Sequence, residues 1–186
     1  MKKLIYLFVI AMLLSGCETI DYAALQQQRQ ANINSYSSQV NEWRNQFQKS
    51  DYPSRLKMLE SYVEKQTNAE LSVLNGISQT WDYSIQSGRS FGQDIYGGLA
   101  AANAEGWVDI YQMYFDAIQK SMGEINNPSN KYSKVYDSLL ECFSIYSQLH
   151  SLARSPQGNY VSFNKTVNDL SLEANKNLNK LKVLLQ

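Results

Sequence analysis

Few side chains in this chain are equipped for covalent or acid–base chemistry. Two cysteines, Cys17 and Cys142, and one histidine, His150, are all it holds of those types. Zinc takes three or four nitrogen or sulfur ligands, and no such cluster stands in the sequence, so no metal site is expected. Ser90 and Ser162 offer hydroxyls. Gly88-Arg89-Ser90-Phe91-Gly92 has the Gly-x-Ser-x-Gly spacing, but that elbow exposes a nucleophile only between a strand and a helix. No strand pattern precedes it, so neither serine is assigned. Asp137 and Glu141 are four residues apart, on one helical face. Paired carboxylates do acid–base work when their surroundings separate their pKa values; these two are expected on a solvated face. His150 stands near Arg154 and is expected as a surface or capping residue. Cys142 lies in Leu139-Leu140-Glu141-Cys142-Phe143, where a thiol packs as a small hydrophobe. No catalytic residue is assigned.

Cys17 is different, because of what precedes it. Lys2 and Lys3 are followed by an unbroken apolar run of eleven residues, Leu4 to Leu14. A membrane span needs about 20 apolar residues, so this run is too short to be one. A charged start, a short apolar stretch and small residues behind it are the layout of a signal peptide. Leu14-Ser15-Gly16-Cys17 then resembles the lipobox of bacterial lipoproteins at every position.

The resemblance implies a cut between Gly16 and Cys17, a diacylglyceryl group on the Cys17 sulfur, and often a third acyl chain on the new amine. Those covalent chains are the only non-protein group expected; no other cofactor is implied. Each buried methylene contributes about 0.8 kcal/mol, and one chain alone binds only marginally, so two or three make release negligible. In that family Asp after the cysteine favours the inner membrane and most other residues allow transfer outward. Glu18 therefore points to the cell outer membrane, facing the periplasm, in a Gram-negative host, and to the outer face of the cell membrane otherwise. The resemblance ends at about residue 18 and is silent on the activity of the body.

Removing residues 1–16 leaves 17–186 as one domain by length. Without Lys2 and Lys3, 15 basic side chains face 17 acidic ones, a formal charge of −2. Phosphate backbones are bound through clustered positive charge, and no basic run exists, so nucleic acid is not an expected partner. Cys17 is consumed by lipid, so Cys142 has no intramolecular disulfide partner. It is left as a free thiol or one half of an intermolecular bridge.

The elements that must position these residues are helices, because apolar residues recur at intervals of three and four. Ile33, Tyr36, Val40, Trp43 and Phe47 form the stripe of a helix over about 20–49. At ~1.5 Å per residue it spans roughly 45 Å. Ser50 or Asp51 caps the next helix, over about 53–86, with Pro53 in its first turn. Its stripe is Leu56, Leu59, Val63, Leu74, Ile77 and Trp81, with a polar middle from Gln66 to Glu70. Further helices are expected over about 107–125, 131–154 and 160–184, separated by Asn- and Pro-rich turns. The helix over 131–154 has the stripe Val135, Leu139, Cys142, Tyr146, Leu149 and Ala153, and the helix over 160–184 has Tyr160, Phe163, Val167, Leu170, Ala174, Leu178 and Leu181. Long helices with short connections prefer antiparallel neighbours. The expected fold is all-α, an antiparallel up-and-down bundle of four to five helices.

Residues 87–106 read as a Gly/Ala-rich connection. Ser84, Gly88 and Gly92 repeat at spacing four, and so do Gly98, Ala102 and Gly106; Gly97-Gly98 between them suits a turn. Small residues at that spacing let backbones approach closely. Gly88, Gly92, Gly97, Gly98, Ala102 and Gly106 are therefore candidates for a tight crossing, a partner surface or lid, or a membrane-inserting segment. Ile95 to Ala104 is too short to span, and no nucleotide-binding spacing is present.

The body is thus expected to be a membrane-tethered, non-catalytic module of the envelope that binds, assembles or inhibits a protein partner. An envelope enzyme acting on the cell wall and a carrier of a hydrophobic ligand are the alternatives. Oligomeric state is open.

Overall fold

The computed structural model describes residues 22–186. The leader 1–16, the cleavage point Gly16–Cys17 and the lipid position Cys17 lie outside the described residues. The described residues form six helices and no strand: α1 (Tyr22–Lys49), α2 (Tyr52–Ser87), α3 (Phe91–Ala104), α4 (Trp107–Glu124), α5 (Ser133–Arg154) and α6 (Tyr160–Leu184). The fold is an all-α bundle, with one helix more than the four or five expected.

The turn between α1 and α2 shows how local chemistry sets direction. The Asp51 carboxylate accepts from the Ser54 N–H at 3.0 Å and so caps α2, while the Ser50 hydroxyl donates to Gln46 of α1. Arg55 then reaches back. Its Nε donates to Phe47 O and Ser50 O, and its Nη2 to Gln48 O at 2.6 Å, which satisfies carbonyls that a helix end leaves open. At the start of α6, Asn159 and Ser162 bond reciprocally. Ser162 is thereby spent as a capping residue.

The five long helices alternate in direction along the chain. Arg29 pairs with Asp109 at 2.7 Å and Arg44 with Glu124 at 2.6 Å. Both numbers rise together, so α1 and α4 run parallel, with α2 antiparallel to each. Arg154 of α5 donates to Val108 O, and Phe115 stacks on His150, so α5 is antiparallel to α4. The short α3 closes the end where α2 finishes and α4 begins.

Apolar burial is divided in two. One core joins Val40, Phe47, Leu59, Val63, Ile118, Leu139, Cys142 and Leu181. The other joins Leu74, Trp81, Ile95, Leu149, Phe163 and Ala174 at the α3 end. At roughly 25 cal/mol per Å² of apolar surface removed from water, these cores supply the main drive to fold. Aromatic pairs add to each: Trp43 stacks on Tyr62 at 4.1 Å, and Trp81 on Phe91 at 3.6 Å. The stripes expected on α5 and α6 are the ones buried, with Tyr160 partly so. Cys142 is buried at 3 % exposure, as its pattern suggested.

Residues 87–106 depart from the expected connection. They hold α3, and Gly97-Gly98 stands in its middle as helix, not as a turn. Nor do most of the small residues bring backbones together. A Cβ on Gly88, Gly97 or Gly98 would meet nothing within 4 Å, and on Gly92 only neighbours of its own helix start. Gly106 is the exception. It has φ +84°, and a Cβ there would lie 3.0 Å from Ile33 and 3.1 Å from Arg29. The bends that the chain needs are made by Gly88, at φ +66°, and Gly106, at either end of α3.

Candidate functional site

Between the two cores α2 carries Gln66, Thr67 and Glu70, all buried, where an apolar stripe would place hydrophobes. Helical geometry puts 66, 67 and 70 on the inward face with Val63 and Leu74. From α5, His150 enters the same layer. Its Nδ1–H donates to Glu70 Oε1 at 2.7 Å, and the two side chains are only 7 % and 3 % exposed. The other nitrogen, Nε2, faces Gln112 Oε1 of α4 at 3.5 Å, a long contact. Phe115 of α4 covers the imidazole face to face, 4.5 Å away and 7° from parallel.

His150 is therefore not the surface or capping residue expected of it. The turn preceding it holds Tyr146 and Leu149, both fully buried, and that inward face carries it into the core. Glu70 escaped notice because a polar middle in a long helix reads as a weak stripe. The signal was present in its spacing: residues 66, 67 and 70 fall in register with Val63 and Leu74.

Two tyrosines border the pair. Burial pushes the Tyr111 phenol up to about 12, and the negative charge of Glu70 adds to the effect. Tyr146 is raised further by the same two causes in the same order. Its hydroxyl is buried and makes no hydrogen bond. Such a group costs about 1–3 kcal/mol, so the layer is not fully satisfied. Chemically the arrangement is a carboxylate-oriented imidazole, which is one way to hold a general base. Its second nitrogen, though, is roofed by an aromatic ring and an amide.

Other expected site residues are scattered. Ser90 stands at the start of α3 without a capping bond. Asp137 and Glu141 lie exposed, and Glu141 pairs with Lys180 of α6 at 2.8 Å. That pair crosses an open groove of about 510 Å³ between α5 and α6, lined also by Gln148, Glu173, Lys176 and Asn177. The lining is charged and amide-rich. Cys142 is held as a neutral thiol: burial pushes it up to about 12, with the charges of Glu141 and Glu60 adding. Among the described residues no group of three His, Cys, Asp or Glu side chains is placed to hold a metal ion. No helix among them is long and apolar enough to cross a membrane.

The class that fold and site define is an all-α bundle with a buried carboxylate–imidazole layer between two apolar cores. Comparison with family models, with curated proteins and with solved structures finds no match for this chain.

Proposed function

We propose that the protein is a bacterial lipoprotein of the cell envelope, anchored through acyl chains on Cys17. Its helical body acts as a non-catalytic module that binds, assembles or inhibits a protein partner at the periplasmic face of the outer membrane. One observation carries the reading: Leu14-Ser15-Gly16-Cys17 follows Lys2-Lys3 and an apolar run of eleven residues. The body supports it. In its polar layer Glu70 and His150 pair with each other, and the groove between α5 and α6 is open, with Glu141 and Lys180 paired across it.

The anchor is tested by mass spectrometry of the protein purified from membranes. The expected mature N-terminus is Cys17 carrying two or three acyl chains, and Cys17→Ala is expected to leave the membrane fraction. An uncleaved leader, or an unmodified Cys17 thiol, overturns the reading. The partner is sought by crosslinking from native membranes, with the Cys17→Ala protein as the comparison.

The envelope enzyme is favoured by one feature, the Glu70–His150 pair, since a carboxylate that holds Nδ1 orients an imidazole for proton transfer. Cell-wall turnover that is abolished in His150→Gln, with the fold retained by circular dichroism, would select that reading instead.

A further inference from the structure

We infer that the α3-capped end of the bundle is seated on the bilayer, with the uncharged outer side of α3 and the neighbouring apolar side chains entering the headgroup region. This rests on the lipoprotein reading above.

The first support is the place of the tether. Gly106, between α3 and α4, packs on Arg29 and Ile33 of α1, and Asn32 of α1 donates to Glu105 O at 3.1 Å. From Ile33, α1 continues back to Tyr22, about 16 Å further towards that same end at ~1.5 Å per residue. It packs on α3 along the way. Cys17 precedes Tyr22 by five residues, which even fully extended reach at most about 18 Å. The other end of α1, at Lys49, is about 40 Å away along the helix. A lipid on Cys17 can therefore hold the α3 end at a membrane and cannot hold the opposite end there.

The second support is what that end presents. α3 holds one charged side chain, Asp94, and it is turned inward, 13 % exposed, accepting from Ser84 Oγ at 2.7 Å and paired with Arg89. Outward it shows Tyr96, 74 % exposed, beside Gly97 and Gly98, which are also exposed. Ile85 in the last turn of α2 and Val161 in the first turn of α6 are 56 % and 75 % exposed at the same end. Tyrosine suits the headgroup level, with an apolar ring and a polar tip. At 14 residues α3 lies in the interface and does not span. The inner part of α3 is fastened to the bundle by Phe91 on Trp81 and by buried Ile95, so the helix stays put while its outer side meets lipid.

Single spin labels test the seating. Cys17 carries lipid and Cys142 is buried, so a label goes to an introduced cysteine alone. Tyr96→Cys and Val161→Cys report the proposed face, and Leu172→Cys, 71 % exposed further along α6, reports the side of the bundle. The protein as isolated from membranes is reconstituted in vesicles of phosphatidylethanolamine and phosphatidylglycerol. The labels at 96 and 161 are expected to lose most of their collisions with a water-soluble nickel chelate and to gain collisions with oxygen, while the label at 172 stays aqueous. A label at 96 as open to nickel as the one at 172 overturns the seating and leaves that face to a protein partner. A second arm separates the two readings. The unlipidated mature chain is coupled through its N-terminal Cys17, which as a 1,2-aminothiol condenses selectively with a cyanobenzothiazole lipid, before the cysteine at 96 is labelled, and is placed in the same vesicles. A wet label at 96 there refutes the seating alone. An unmodified Cys17 in the natural protein refutes the lipoprotein reading, and the seating with it.

Discussion

Glu70 and His150 are each other's main partner in a layer almost closed to water, at 2.7 Å and 3 % and 7 % exposure. Removing one leaves the other buried and unpaired, which costs about 3–5 kcal/mol, whereas replacing both with apolar groups of similar size is often neutral. His150→Leu is therefore expected to lower unfolding stability by an amount in that range. Glu70→Met together with His150→Leu is expected to recover most of the loss. Urea unfolding of the two single variants and the double variant forms the cycle that isolates the coupling. Additive losses would show that the pair does not act as a unit. Residue chemistry was only partly legible beforehand. Cys142 followed from its apolar pattern, because burial of a thiol needs no partner. His150 did not, because its partner lies 80 positions away in the chain and only the fold brings them together.

At the scale of elements, the stripes on α1, α5 and α6 were legible since five or more apolar residues at a regular spacing leave little choice of inward face. The helix over Phe91–Ala104 was not. Only Ile95 is buried in it, so no stripe announces it, and Gly97-Gly98 reads as a break. The glycines themselves now divide into two kinds. Gly106 has φ +84°, and an added Cβ would crowd Ile33 and Arg29. A non-glycine residue held at positive φ costs on the order of 1–3 kcal/mol, so Gly106→Ala is expected to destabilise by at least that. Gly97 and Gly98 are helical with open space around them. Alanine there is expected to stabilise by about 0.5–1 kcal/mol each through the entropy that glycine loses in a helix. Thermal unfolding of the three variants reads both signs at once; a destabilised Gly97→Ala would mean that the small face of α3 is in contact with something.

At the scale of the whole molecule, one core is built around groups that are neutral only while protonated. Burial raises the phenols of Tyr52, Tyr62, Tyr114, Tyr136 and Tyr146, brings Tyr111 to about 12, and brings the Cys142 thiol to about 12. These residues sit on α2, α4 and α5; α2 and α5 contribute to both cores, and α4 to the one around Val40, Ile118 and Leu139. In the unfolded chain the thiol ionises near 9.0 and the phenols near 10.0. Between those values and the raised native ones, the unfolded state binds fewer protons than the native state, so stability falls as pH rises. Each unit of difference is worth about 1.4 kcal/mol, and Tyr146, raised furthest by burial and by Glu70, contributes most per group. Stability contributed by these groups is fully present below about pH 9 and is lost as pH rises towards about 12. The expected outcome is a flat unfolding free energy from neutral pH to about pH 9, then a steep fall in which phenolate absorbance and loss of helical circular dichroism rise together. Cys142→Ala would start that fall later, near the phenol range, because the group that ionises first in the unfolded chain is gone. Phenolate signal that grows stepwise while the helical signal stays constant would show that these side chains reach water without opening the bundle. The core around Val40, Ile118 and Leu139 would then not depend on the aromatic wall between α2, α4 and α5.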